Sequence, residues 1–312
     1  MGGTDGVSIE AAKWAWALGS LGFSVRTVAG EGAADVVVPG LARDGDGVSD
    51  GEVAAAVEGA DVVVVENLLS LPLNPSAFHV VARVLRGRPA VLRHHDLPWQ
   101  RPAFAGWTVA DDPAWVHVTI NDASRVELLE REIDAVRLYN RFPLDGWSSV
   151  DRDGTRARLG LSGPVLLHPV RAIPRKDVPA AVRLAESRAM TYWLTGPAED
   201  GYQAELDEVL SSASCPVVRG GVARAADMYA AADLVALTST VEGFGNPLIE
   251  SALARRPIVV RPYPVAVELA SAFGFRWFED EADVDANEAI ARASFGLDGL
   301  PGELAAVLER VL

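Results

Sequence analysis

The sequence is poor in cysteine, in lysine and in long apolar runs. Its 312 residues contain one cysteine, Cys215, which excludes a disulfide framework and is typical of a reducing compartment. No apolar run reaches the roughly 18 to 20 residues that a membrane span requires. The amino terminus lacks the charged and apolar regions of a signal peptide. These absences predict a cytoplasmic protein without an integral membrane segment.

Basic residues are also scarce. Lys and Arg total 28 against 43 Asp and Glu, which gives a formal charge of −15. A protein this acidic is a poor general ligand for nucleic acid or for anionic lipid, so we expect neither as a partner. Any phosphate group that it binds must therefore meet a local cluster of basic side chains.

The sequence does contain a repeated alternation of short apolar runs and helical patterns. Most of the runs are continuous in Val and Leu, which is typical of parallel strands that are covered on both faces. Helical patterns between the runs imply right-handed crossovers and doubly wound, Rossmann-like α/β sheets. The candidate strands are 23–30, 61–68, 88–95, 115–121 and 135–142 in the first half, and 164–170, 190–196, 215–221, 233–239 and 257–263 in the second.

Two such series predict two similar domains, residues 1–150 and 151–312, with the boundary in the polar stretch 143–163. Ligands of open α/β sheets bind at the carboxyl ends of the strands, so two facing sheets predict a cleft. The chain opens on the helical pattern "IEAAKWAWALGSLG" (9–22). Because a doubly wound domain usually opens with a central strand, we expect that the first strand is missing and that the natural protein has further residues upstream.

The most informative stretch is "TSTVEGFGNPLIES", residues 238–251. After a predicted strand the chain turns through Gly243 and Gly245, which allow a ligand to approach the backbone closely. Asn246 is predicted to cap the next helix and Pro247 to be its first residue. The amino end of a helix attracts anions, so this corner is a candidate phosphate site.

Two carboxylates, Glu242 and Glu250, flank this corner eight positions apart. They can reach opposite sides of a bound phosphate. Carboxylates accept strong hydrogen bonds from pairs of sugar hydroxyls, so a nucleotide sugar suits the arrangement. The simpler alternative is that Glu250 only favours the helix dipole and that Glu242 is a solvated turn residue.

The segment "EGFGNPLIE" resembles the E-x7-E motif of the retaining glycosyltransferases of family 4, which have the GT-B fold. The resemblance implies that Glu242 lies by the donor sugar and Glu250 on the ribose. The family also has an Arg followed five residues later by a Lys, which Arg171 and Lys176 match in "HPVRAIPRKDV". These two cations would offset a diphosphate, whereas Arg175 is a decoy or an auxiliary. The remaining residues expected around the donor are Gly243, Phe244, Gly245 and Asn246.

In the first domain the resemblance implies a histidine near the sugar at the end of a strand. His95 in "VLRHHDLPWQ" is the candidate and His94 the reserve, with a purely structural role as the alternative. The family's amino-terminal glycine pair lies over the phosphates. Gly2 and Gly3 match this pair, although Gly6 competes for the role.

The resemblance implies transfer of a sugar from a nucleoside diphosphate sugar, with retained anomeric configuration, to the hydroxyl of an unidentified small-molecule, glycan or lipid-linked acceptor. The donor would be bound in residues 151–312 and the acceptor in residues 1–150. Glu242, His95, Arg171 and Lys176 would be the catalytic residues, and no metal or other cofactor is expected. Trp99 and Trp107 either stack on the acceptor or pack within the domain.

Two other readings stay open. One is a nucleotide-sugar binding protein or epimerase of the same fold without transfer activity. The other is a phosphorylase, which usually requires a lysine that holds pyridoxal phosphate. Lysine occurs only at positions 13 and 176, and Lys176 already has a role, so the phosphorylase is disfavoured.

Overall fold

A computed structural model describes residues 6–278 and 283–312. In chain order the first strands and helices are α1 (Gly6–Ser20), β1 (Val28–Ala29), β2 (Val36–Val37), α2 (Asp50–Ala56), β3 (Val63–Glu66), α3 (Pro75–Leu85), β4 (Ala90–His94), β5 (Trp115–Thr119), α4 (Asp122–Leu129) and β6 (Ala135–Arg137).

The elements that follow are α5 (Arg152–Leu159), β7 (Val165–His168), α6 (Val178–Ser187), β8 (Thr191–Leu194), α7 (Gln203–Ser212), β9 (Val217–Arg219), α8 (Ala225–Ala231), β10 (Leu234–Leu237), α9 (Asn246–Leu253), β11 (Ile258–Val260), α10 (Pro264–Phe273), α11 (Val284–Ser294) and α12 (Leu300–Leu308).

The chain forms two compact α/β units. Unit 1 comprises Met1–Arg141 and Leu297–Leu312, and unit 2 comprises Phe142–Gly296. In unit 1 a parallel sheet has the order β3-β4-β5-β6, and β1 and β2 form a separate parallel pair. In unit 2 a parallel sheet has the order β11-β10-β7-β8-β9. The predicted doubly wound α/β architecture is confirmed.

The observed division differs from the predicted one at both ends. The chain passes from unit 1 to unit 2 at Arg141 rather than near residue 150, and the predicted boundary stretch contains α5, a polar helix of unit 2. The last sixteen residues belong to unit 1 and not to the second domain. Leu300 and Leu304 of α12 share a hydrophobic cluster with Trp14 of α1, and this burial holds α12 on the first sheet.

Both faces of the unit 1 sheet are covered, which explains its continuous apolar strands. Val64 packs with the cluster of α1 and α12, whereas Val63 and Val65 pack with α2 and α3 on the opposite face. Side chains of a strand alternate between its two faces, so a strand buried on both sides must be apolar throughout.

The outer edge of β3 borders a groove of about 660 Å³ within unit 1. Its walls are mainly apolar and come from α1, β1, α2 and β3. In the described part of the chain α1 precedes every strand, in agreement with the helical pattern on which the sequence opens.

Candidate functional site

The glycine corner that follows β10 is held by buried aromatic side chains. Gly245 has φ 90°, a left-handed conformation that favours glycine. A Cβ atom at this position would lie 2.0 Å from the hydroxyl of Tyr263, and that hydroxyl donates a 3.1 Å hydrogen bond to the carbonyl of Phe244. The close approach of Tyr263 and the positive φ together require glycine at position 245.

Helix α9 begins directly after this corner, one residue earlier than expected. Asn246 is the first helical residue and Gly245 occupies the N-cap position, so the prediction that Asn246 caps the helix is wrong. The left-handed turn at Gly245 brings the chain into the helix without a capping side chain. The positive end of the dipole of α9 therefore lies at the glycine corner, where it favours an anion.

Glu242 is clamped by two cations from the loop that follows β7. It is 8% exposed, and its two oxygens meet the ammonium of Lys176 at 2.5 Å and the guanidinium of Arg175 at 2.9 Å. Burial alone would raise the pKa of Glu242, but the charges of Lys176 and Arg175 outweigh burial and lower it. Glu242 is thus an ionised, oriented carboxylate rather than a solvated turn residue.

Arg175 contributes directly to this cluster and is not a decoy for the motif cation Lys176. Besides its ion pair with Glu242, its guanidinium donates a 2.8 Å hydrogen bond to the carbonyl of Val241. Its own carbonyl accepts a 2.9 Å hydrogen bond from the backbone N–H of Thr240. Arg175 therefore ties the loop after β7 to the glycine corner, which sequence spacing did not indicate.

Burial lowers the pKa of Lys176, although the carboxylate of Glu242 opposes this shift. The backbone of Lys176 is anchored as well, because the hydroxyl of Thr238 donates a 2.9 Å hydrogen bond to its carbonyl. Arg171 is more open, with 41% of its side chain exposed, and pairs with Glu199 at 2.6 Å. Of the predicted pair, Lys176 is thus enclosed and Arg171 is accessible to solvent.

Glu250 lies in the second turn of α9 and meets a buried tyrosine. The hydroxyl of Tyr229, on α8, donates a 2.7 Å hydrogen bond to Oε2 of Glu250. Burial raises the pKa of Tyr229 well above its ordinary value, and the Glu250 carboxylate adds to that shift. The phenol therefore stays protonated and donates. Spacing alone did not reveal this partner, since Tyr229 precedes Glu250 by 21 residues.

A buried histidine beneath the loop after β7 was also missed. His168, the last residue of β7, has Nδ1 2.8 Å from the hydroxyl of Tyr192 and Nε2 3.4 Å from the hydroxyl of Thr238. Burial and the nearby charge of Lys176 lower the pKa of His168 to about 3, so the ring is neutral at physiological pH. The one available signal was its position at the end of an apolar strand.

The histidine predicted near the sugar lies in unit 1, within a buried ion network. Nε2 of His95 is 2.7 Å from Oε2 of Glu66, the last residue of β3. Arg93 of β4 is 1% exposed, and its guanidinium lies 3.3 Å from Glu66 and 3.2 Å from Glu10 of α1. Burial would raise the pKa of Glu66, but Arg93 and His95 lower it. His95 is therefore oriented by a carboxylate.

The reserve candidate His94 is enclosed in the core of unit 1. Its ring stacks on His117 at 5.1 Å between centroids, with Nε2 of His94 2.9 Å from Nδ1 of His117. Burial lowers the pKa of His94 well below its ordinary value. His94 is therefore a structural residue of the core and not a candidate for contact with the sugar. Gly2 and Gly3, predicted to lie over the phosphates, fall outside the described residues.

The two tryptophans considered as acceptor platforms both have partners within unit 1. Trp99 donates a 2.6 Å hydrogen bond to Glu127, and the guanidinium of Arg131 lies 3.8 Å from its ring centroid. The ring of Trp107 meets that of Phe78 edge-on at 5.5 Å. These contacts favour the packing interpretation.

Within residues 6–278 and 283–312, neither a cluster of metal-binding side chains nor a membrane-spanning helix occurs. Over those ranges no three His, Cys, Asp or Glu side chains come together as a metal site would require. No helix over the same ranges is both long and apolar enough to cross a membrane.

The sequence and the structure both match known proteins. Residues 175–291 match the family model described as "Glycosyl transferases group 1", a range that includes Lys176, Glu242 and Glu250. Two curated relatives are mannosylglucosylglycerate synthases. The one from Petrotoga mobilis is 22% identical over 270 residues, and the one from Thermotoga maritima is 26% identical over 253 residues.

The matches cover 69% and 67% of this chain and 62% and 59% of the two synthases, so the chain spans about three fifths of the length of these relatives. Among solved structures, Anabaena Alr3699/HepE in complex with UDP and glucose has a TM-score of 0.63 at 22% identity. That likeness covers 83% of this chain and 81% of HepE. The chain has the GT-B fold, and the part of it that spans residues 175–291 is similar to the glycosyl transferases group 1 family.

Proposed function

We propose that this protein is a retaining glycosyltransferase that moves a sugar from a nucleoside diphosphate sugar to the hydroxyl of an acceptor. The observation that carries the proposal is the cluster of Glu242, Lys176 and Arg175 beside the amino end of α9, with Glu250 in the next turn. This cluster supports a diphosphate site in unit 2, with carboxylates for sugar hydroxyls.

The local charge favours an anion although the protein as a whole repels one. Two buried or half-buried cations face one carboxylate, which leaves a net charge of about +1 by the ordinary charges of these groups. The dipole of α9 adds to this positive potential, whereas the charge of Arg171 is balanced by its ion pair with Glu199. A diphosphate leaving group gains negative charge as the glycosidic bond breaks, and preorganised cations stabilise that charge.

Glu242 serves to orient the reacting sugar. Its carboxylate is held through both oxygens, and its lowered pKa keeps it ionised, so it can accept hydrogen bonds from sugar hydroxyls. This clamped geometry does not favour nucleophilic attack by Glu242. We infer same-face attack, in which a leaving phosphate oxygen helps to deprotonate the acceptor hydroxyl.

In unit 1, His95 is the second residue assigned to the sugar. Its hydrogen bond with Glu66 orients the imidazole ring, as a positioning residue requires. The acceptor is assigned to unit 1 and remains unspecified. The two relatives are named for a mannosylglucosylglycerate product, which makes a mannose-bearing donor and a glycerate glycoside worth including in any screen.

The complex of HepE with UDP and glucose makes UDP-glucose another donor to include. A thermal-shift panel of UDP-, GDP- and ADP-sugars tests the donor. A ligand at 100 times its dissociation constant stabilises a protein by about 2.7 kcal/mol. The sugar nucleotides that carry the preferred base should therefore raise the melting temperature clearly.

The Lys176→Ala variant should lose most of that stabilisation, whereas Arg219→Ala should keep it. Arg219 is an exposed arginine of the same unit, and its guanidinium lies 3.8 Å from the carboxylate of Asp207. Transfer is then measured as acceptor-dependent release of the nucleotide, and NMR of the product tests for the retained anomer. Binding without release or transfer supports the non-transferring binding protein. No shift with any donor overturns the proposal.

A further inference from the structure

Tyr229 is a buried residue of unit 2 that neither the family motif nor the proposed chemistry assigns. Its side chain is fully enclosed, and its ring meets Trp147 edge-on at 6.1 Å between centroids. Its hydroxyl reaches Glu250 at 2.7 Å. An enclosed tyrosine has few rotamers, so its hydroxyl is a rigid donor.

A rigid donor changes what the Glu250 carboxylate can do. An unrestrained glutamate can rotate and accept a hydrogen bond from another donor when a ligand lacks the expected hydroxyl. A carboxylate pinned through one oxygen cannot rotate without losing a charge-assisted hydrogen bond. A site built to bond a hydroxyl rejects an analogue that lacks it because a polar group is left unsatisfied. Preorganisation of Glu250 therefore increases discrimination.

We propose that Tyr229 positions Glu250 so that the site distinguishes ribonucleoside from 2′-deoxyribonucleoside diphosphates. This inference rests on the proposed function, in which Glu250 binds the ribose. Tyr229 itself does not touch the nucleotide and acts through Glu250. It is a positioning residue, and its effect lies in donor affinity and not in turnover.

The test is calorimetric titration of UDP, GDP and ADP, each with its 2′-deoxy counterpart, into the wild type and the Tyr229→Phe variant. For the wild type and its preferred base we expect the ribonucleotide to bind at least about tenfold more tightly. In Tyr229→Phe this ratio should fall at least about threefold, because the ribonucleotide weakens while the deoxynucleotide changes little.

Tyr202→Phe is the matched control. Tyr202 is another buried tyrosine of unit 2, and its hydroxyl interacts with the carboxylate of Glu205 instead. Its removal should leave the ratio unchanged. An equal loss of both nucleotides in Tyr229→Phe, with an unchanged ratio, would show a merely structural role and overturn the inference.

Glu250→Gln keeps the inference testable if Tyr229→Phe folds poorly. It should lower the ratio as well, and the double variant should lower it no further, since both changes act through one contact. Additive losses in the double variant would contradict the inference. If no nucleotide binds the wild type, the proposed function fails and this inference fails with it, an outcome distinct from binding with an unchanged ratio.

Discussion

Each unit holds buried charges near the carboxyl ends of its strands, but the two units balance these charges differently. In unit 1, Arg93 and His95 meet Glu66 and Glu10 near the carboxyl ends of β3 and β4. In unit 2, two cations from the loop after β7 meet a single carboxylate after β10. The unit 1 network is close to neutral when Lys13, which pairs with Glu10, is included.

This difference separates a site that orients uncharged groups from one that attracts an anion. A balanced network holds its members in place and creates little net potential. An excess of positive charge at a helix amino end suits a diphosphate. This difference supports the proposal that unit 1 orients uncharged hydroxyls, whereas unit 2 binds the nucleotide and, through Glu242, the donor sugar.

The largest expected effect is on the stability of unit 1. Arg93→Leu would leave Glu10 and Glu66 buried without their shared cation, and breaking a buried ion pair in this way costs about 3–5 kcal/mol. Urea unfolding monitored by tryptophan fluorescence measures the loss. Arg83→Leu is the control, because its pair with Asp50 is exposed to solvent and its loss should change stability far less. Equal losses for both variants would contradict a structural role for the network.

The next largest effect is on turnover through unit 2. Lys176→Ala should lower kcat by about 10²-fold or more, because it removes a charge from the leaving diphosphate. Arg175→Ala should also lower kcat, since Arg175 holds Glu242 directly. Steady-state kinetics at saturating donor measures both, with Arg219→Ala as the unaffected control. Full activity of Arg175→Ala would restore the view that this arginine is a decoy.

A smaller effect is expected on the pH dependence of folding stability, to which buried histidines of both units contribute. Burial lowers the pKa values of His94, His117 and His168, so each binds fewer protons in the folded than in the unfolded chain below pH 6.5. Their stabilisation is present above that pH and is lost as the pH falls. Each fully shifted histidine contributes about 1.4 kcal/mol per pH unit to this slope.

Thermal unfolding between pH 7.5 and 5 tests this sign. His168→Gln should flatten the slope, with the change confined to any transition that belongs to unit 2. His79→Gln, at an exposed histidine of unit 1, should leave the slope as it is. A slope that His168→Gln does not alter would mean that His168 titrates alike in the folded and unfolded chains.

The strands could be predicted from sequence because burial on both faces leaves continuous Val and Leu runs. Each of the ten candidate ranges contains an observed strand. Among the elements that were not predicted are β2 and α5. β2 has only two residues, and α5 buries only Thr155, so neither has an apolar period to detect. The return of α12 to unit 1 could not be predicted, since a local pattern does not specify the sheet on which a helix packs.

The site was predictable only where its members share a short segment. Glu242 and Glu250 flank one glycine corner, and Arg171 and Lys176 lie in one loop, so their spacing carries information. The roles of the individual residues stay predictions. Tyr229 is brought to Glu250 by the packing of two helices, which no spacing rule describes.

The network of unit 1 is harder to predict because it joins distant segments. Glu10 and Arg93 are 83 residues apart. The one local signal was a charged residue, Arg93, inside the buried strand β4. A buried charge requires a partner, but sequence alone does not name it.

The central claim is that Glu242 and Glu250 have different roles, one toward the reacting sugar and the other toward the ribose. Steady-state kinetics of the Glu242→Ala and Glu250→Ala variants tests this claim most directly. Glu250 is assigned to the ribose, away from the reacting bond, so its contacts should be equal in the ground and transition states. Glu250→Ala should raise the donor KM by roughly 10- to 150-fold with little change in kcat. Glu242→Ala should lower kcat instead, because Glu242 orients the reacting sugar. A loss of kcat in Glu250→Ala, or a change in KM alone in Glu242→Ala, would contradict the account.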